Sequence, residues 1–106
     1  MKQVIHSDHF LDTHRNPAGG IAQGTGIAIV WQNGPLGRGI NRQEPNGAFV
    51  EGVIQAAIDR LEFFQHSKFA CASNARALAD LRSALAHLES RTIEREERGV
   101  EGTHTR

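Results

Sequence analysis

Glycine and proline are unevenly divided along this chain of 106 residues, and that division does most to limit what it can fold into. Eight of the eleven glycines fall between Gly19 and Gly47, and Pro17, Pro35 and Pro45 all precede residue 46. Residues 49–98 hold one glycine, Gly52, and no proline. Glycine admits turn conformations and proline interrupts helices, so the first part suits short strands and turns and the second suits long helices. The expectation is an α+β fold in a single domain over residues 1–106. It comprises a strand and turn region at 1–47, an antiparallel two-helix hairpin at 48–98 and a C-terminal tail at 99–106, in which His104 lies.

In the first part, residues 26–31 (Gly-Ile-Ala-Ile-Val-Trp) are rich in β-branched residues and bounded by Gly-Thr-Gly and Gln-Asn-Gly-Pro, which predicts a strand between turns. Residues 2–11, centred on Val4 and Ile5, form a weaker strand. Residues 16–20 (Asn-Pro-Ala-Gly-Gly) read as a turn. Asn33-Gly34-Pro35 turns the chain again, and residues 36–41 return as a short strand, completing a small antiparallel sheet.

In the second part, Asn46 is placed to cap a helix over residues 48–66, whose Val50, Val53, Ile54, Ala57, Ile58, Leu61 and Phe64 recur three and four apart. Ser73 or Asn74 opens a second helix. Its Leu78, Leu81, Leu85 and Leu88 follow a 3, 4, 3 spacing that packs against another helix. The helix then runs on through an almost wholly polar stretch, residues 89–98, until Gly99 stops it.

Charge and cysteine content exclude several functions. Twelve basic residues balance twelve acidic ones, so no net attraction for duplex nucleic acid or an anionic membrane exists. Any charged ligand must be met by local clusters. The lone cysteine, Cys71, provides no internal disulfide and no cysteine zinc site, and it reads as a small buried thiol in a protein of a reducing compartment, the cytoplasm. No run reaches the roughly 18 apolar residues of a membrane span, and residues 1–10 lack a signal-peptide core. A monomer this small buries only about 60 to 65 per cent of its unfolded surface, which favours self-association over a deep private cleft.

Few residues ask for more than folding. His6, His9 and His14 with Asp8 make a poor metal site, because residues three apart on a strand point to opposite faces. His66 suits a contact at a helix C-terminus. The glycine pairs lack the lysine of a phosphate loop, and no catalytic constellation is found. Arg91 and Arg95, one turn apart, can form a fork for phosphate with Glu94 or Glu96 orienting them, although a solvated helix end accounts for the same residues. Arg38 and Arg42 flank a glycine-rich turn as a second pair of cations.

Five segments together resemble a known family. They are Trp31-Gln-Asn-Gly-Pro-Leu-Gly-Arg-Gly-Ile-Asn41, Ile58-Asp-Arg-Leu-Glu-Phe-Phe-Gln65, Phe69-Ala-Cys-Ala-Ser-Asn74, Leu88-Glu-Ser-Arg-Thr-Ile-Glu-Arg95 and Arg98-Gly-Val-Glu-Gly-Thr-His104. In this order they are similar to the Thoeris anti-defence sponges of bacteriophages, over residues 27–104. The anti-CBASS sponges resemble the chain only in the helical hairpin. The resemblance implies a protein of the infected host's cytoplasm, without catalytic activity or cofactor. Such a protein sequesters a cyclic ADP-ribose isomer made from NAD by a TIR-domain enzyme, and some members hold cyclic di- or trinucleotides as well. It implies a homodimer or a hexamer of dimers, and ligand contacts at Phe64, Asn74, Arg91, Arg95 and Glu96. In these roles Phe64 stacks on the adenine, Asn74 bonds a base or ribose edge, the arginines meet the pyrophosphate and Glu96 accepts from a ribose hydroxyl or steadies an arginine.

Helix geometry constrains that assignment. Asn74 and Arg91 are 17 residues apart, about 25 Å on one helix, so a ligand touching both needs a pocket shared between antiparallel subunits. Two other readings remain open. A signal-degrading enzyme needs a nucleophile or metal, and a helical-hairpin module that blocks a host protein is indifferent to nucleotides.

Overall fold

The computed structural model describes residues 2–106 and divides into two compact units, one containing the residues up to Phe49 together with Val100–Arg106, the other Val50–Gly99. The first is built on three antiparallel strands in the order β1-β2-β3: β1 (His6–Leu11), β2 (Pro17–Gly24) and β3 (Ile27–Trp31).

The middle strand is the chief departure from the sequence reading, because it starts within the residues taken for a turn. Its glycines serve strand contact instead. Gly20 adopts φ +151°, and a Cβ there would fall on the Asp8 carbonyl oxygen of β1, so the close approach of the two strands requires glycine. The register runs His9 to Gly20 and Gly20 to Trp31, with a bulge in β1 between His9 and Leu11. A two-residue turn, Thr25-Gly26 with Gly26 at φ +74°, joins β2 to β3. Along β3, Ile27, Ile29 and Trp31 are half-buried while Ala28 and Val30 are exposed, the alternation of a one-sided sheet.

The β1–β2 turn is held by one carboxylate. Asp12 Oδ1 accepts from the Asn16 backbone N–H at 2.9 Å and the His14 N–H at 2.8 Å, while Arg15 turns the chain at φ +66°. The Asn16 donor, aided by the His14 donor and charge, holds the Asp12 pKa below its ordinary 3.8. A depressed carboxylate pKa stabilises the fold above the unfolded value, and that contribution is lost as pH falls through the folded one. Amide signals of His14 and Asn16 should therefore titrate with a midpoint below 3.8; a midpoint at or above it would remove Asp12 as the clasp.

Beyond β3 the chain is stitched by side-chain amides. Asn46 Oδ1 accepts from Asn33 N at 2.8 Å, its Nδ2 donates to Asn33 O at 2.9 Å, and its backbone N–H donates to Gln32 Oε1 at 2.8 Å. Asn46 thus closes a loop and does not cap the helix, which begins four residues later. Residues 47–48 return beside β3: Gln32 N donates to Ala48 O and Ala48 N to Val30 O, at 3.0 and 2.7 Å. The short strand expected at residues 36–41 is absent. Gly37 and Gly39 hold positive φ, and residues 39–41 form one 3-10 turn. This loop is pinned by residues 100–106, since Gly37 N donates to Gly102 O at 2.8 Å and Arg42 grips both oxygens of Glu101 at 2.5 and 3.0 Å.

The second unit is the expected antiparallel hairpin of α1 (Val50–Gln65) and α2 (Ala72–Glu97). Ile58 and Leu78, at 3 and 5 % exposure, form its centre, flanked by half-buried Ile54, Leu61, Leu81, Leu85 and Leu88. Arg82 reaches across to Glu62 at 2.5 Å. The bend is closed by Gln65, whose amide accepts from Cys71 N and donates to Cys71 O at 2.9 and 3.1 Å. His66 Nδ1 donates to Glu62 O at 2.7 Å, the helix-end contact its position suggested. Two expectations fail here. Cys71 takes the extended N-cap conformation itself, so α2 starts before Ser73 and Asn74. In that place at the bend its thiol is exposed and not buried.

Candidate functional site

The five residues singled out from the sequence all belong to the hairpin, at its two ends. Phe64 lies in the last turn of α1 and Asn74 in the first turn of α2, both half-buried beside the bend. Ser67 Oγ donates to Phe64 O at 2.6 Å and accepts from Phe69 N at 3.1 Å, and Asn74 Nδ2 is 3.4 Å from Phe69 O. These bonds tie the bend to the end of α1 and the start of α2. Asn74 therefore supports the loop from inside the first turn and does not cap the helix.

Arg91, Arg95 and Glu96 lie near the other end of α2. This helix has 26 residues against 16 in α1, so its last ten or so, about 15 Å of helix, run past the start of its partner. The overhang carries all three. Arg91 and Arg95 share a face at i and i+4, Arg91 exposed and Arg95 half-buried, while Glu96 is exposed about 100° around the axis. Arg98 N donates to Glu94 O, Gly99 N donates to Glu96 O at 3.0 Å, and Gly99 ends the helix at φ +76°. Asn74 and Arg91 are separated by about 25 Å of continuous helix. One chain does not bring the five together.

Two further side chains belong to the aromatic end, Phe63 and Arg60, and neither is among the five assigned from the sequence. Phe63 and Phe64 meet edge to face with centroids 5.9 Å apart, and the Arg60 guanidinium carbon is 5.0 and 4.9 Å from their centres. The available signal was the i, i+3, i+4 spacing of residues 60, 63 and 64, which puts a cation on two rings. Among the described residues no three His, Cys, Asp or Glu side chains are grouped to hold a metal, and no helix is long and apolar enough to cross a membrane.

Residues 23–92, from the end of β2 through most of α2, match the family model described as Acb2/Tad1, hairpin domain. The chain belongs to this hairpin family. A member similar to it is Thoeris anti-defense 1 of Bacillus phage SBSphiJ7, 45% identical over 76 residues, which make up 72% of this chain and 51% of that protein. The chain thus spans about half the length of this relative. Of the five candidate residues of the hairpin, Phe64, Asn74 and Arg91 fall inside the family match, while Arg95 and Glu96 lie just beyond it.

Proposed function

We propose that this hairpin protein is a phage anti-defence sponge that binds a cyclic nucleotide immune signal and withholds it unchanged from its effector. The observation that carries this reading is the Arg91 and Arg95 pair, one turn apart on the stretch of α2 that extends beyond the length of α1, in a chain of the Acb2/Tad1 hairpin family. Two guanidinium groups one turn apart suit a pyrophosphate, and Glu96 suits a ribose hydroxyl. Phe64 and Asn74 supply the base end from a second copy, because one helix holds the two groups too far apart. The ligand class is a cyclic ADP-ribose isomer from a TIR-domain enzyme, with cyclic di- or trinucleotides as further candidates. The site of action is the cytoplasm of the infected bacterium.

Self-association is part of the same reading. Among the described residues Ala22, Ile58 and Leu78 are the buried hydrophobic ones, while Phe10, Phe63, Phe69 and Ile93 are all more than half exposed. A homodimer, or a hexamer built from dimers, covers such surface and completes the pocket. The same exposed residues support the alternative of a hairpin module that inhibits a host protein directly.

One experiment separates these readings. The purified protein is incubated with the products of a TIR-domain enzyme acting on NAD, freed of unbound ligand, denatured, and its supernatant analysed by mass spectrometry. An intact cyclic ADP-ribose isomer at about one per subunit is the expected result. No retained nucleotide would favour the interaction module, and a linear product would mean hydrolysis.

A further inference from the structure

Among the described residues Arg60 enters no ion pair, and it is not one of the five residues assigned to the ligand. Its neighbouring acids on α1 are engaged elsewhere, Glu62 by Arg82 at 2.5 Å and Asp59 by the Gln55 amide at 2.8 Å. Among the described residues Arg60 has no carboxylate partner, and it is exposed. What holds it is aromatic, the Phe63 and Phe64 rings at 5.0 and 4.9 Å. A guanidinium resting on a ring keeps its N–H donors free in its own plane, where they match a phosphate. Phe63 is 60% exposed and presents a ring to solvent. Across the bend, residues 63–79 contain Lys68 and Arg76 but no Asp or Glu, while Asp59 and Glu62 flank Arg60 on α1.

We propose that Arg60 and Phe63 form a nucleotide subsite at the hairpin bend, with Arg60 donating to a phosphate and the Phe63 ring stacking on a base. The inference rests on the sponge reading and deepens it. Arg91 and Arg95 stand too far along α2 to serve the aromatic end of their own chain, and Arg60 gives that end its own positive charge. Base stacking and phosphate binding then lie within one turn of α1.

The test is equilibrium dialysis of the full chain against the product mixture of a TIR-domain enzyme and NAD, at low and high salt, with retained cyclic nucleotide quantified by mass spectrometry. Arg60→Gln should weaken retention about tenfold at low salt, the effect of losing one charge-assisted contact, and Arg60→Lys should recover part of it. The gap between Arg60→Gln and the parent should narrow at high salt, because an exposed charge contact is screened. A merely structural role for Arg60 would not produce that narrowing. Phe63→Leu should weaken retention about tenfold with the parent's salt dependence, and circular dichroism should show unchanged helix content in all three. Parental retention by Arg60→Gln and Phe63→Leu, while Arg91→Ala loses ligand, would overturn this inference and leave the sponge reading intact. Absence of retention by the parent chain would overturn both.

Discussion

Replacing Arg91 and Arg95 together by alanine should abolish retention of the cyclic nucleotide while leaving the helices in place. Each arginine offers charge-assisted hydrogen bonds to phosphate of about 1.5 to 3 kcal/mol, so losing both should cost about 3 kcal/mol or more and lower affinity at least about a hundredfold. The fold should tolerate the change. Arg91 is exposed, alanine is the strongest helix former, and the substitution removes a like-charge pair at i, i+4. Arg95 is half-buried and makes interactions of its own, so a modest fall in thermal midpoint is expected. Titration calorimetry beside a circular dichroism melt separates the two effects. Parental affinity in the double variant would remove the phosphate assignment from the overhang of α2.

The second large effect is expected far from any ligand, at Gly47. A Cβ there would lie 2.5 and 2.6 Å from the Trp31 carbonyl carbon and oxygen and 2.7 Å from Gln32 N. All three are backbone atoms, so no side chain can swing aside. Relief requires moving residues 47–48 away from β3, which breaks the bonds from Gln32 N to Ala48 O and from Ala48 N to Val30 O. Gly47→Ala should therefore cost about 3 kcal/mol, the upper end of overpacking losses, and more if both hydrogen bonds are lost. Trp31 is the chain's one tryptophan and is half-buried beside the clash, so its fluorescence reports directly. A lower urea midpoint with red-shifted emission is expected; an unchanged midpoint would mean that residues 47–48 are not fixed against β3.

How much of this architecture could be read from residue order depends on the range of the forces involved. The helices and β3 were legible, because Ile58 and Leu78 sit in patterns whose period matches the element and whose apolar face finds its partner nearby. β2 was not. Pro17, Gly19, Gly20 and Gly24 have turn chemistry, and only pairing on both sides, with the Asp8 carbonyl packed where a Cβ would be, makes them a strand. Asn46 and Asn74 look like caps for the same local reason, yet each amide has a better partner in a loop, at Asn33 and near Phe69. In the candidate site, the arginine pair follows from helical spacing alone. The role of Arg60 depended on which carboxylates Gln55 and Arg82 had already taken, and sequence spacing does not show that.

The Gln65 clasp at the bend has a practical consequence. It holds the peptide groups of Cys71 at both N–H and C=O while the thiol stays exposed, and the chain has no other cysteine. Chemistry at that sulfur leaves the hydrogen bonds of the bend in place. A dye attached by maleimide would mark a single defined point next to the aromatic cluster, making each hairpin a fluorescent ruler for the distance between copies of the chain.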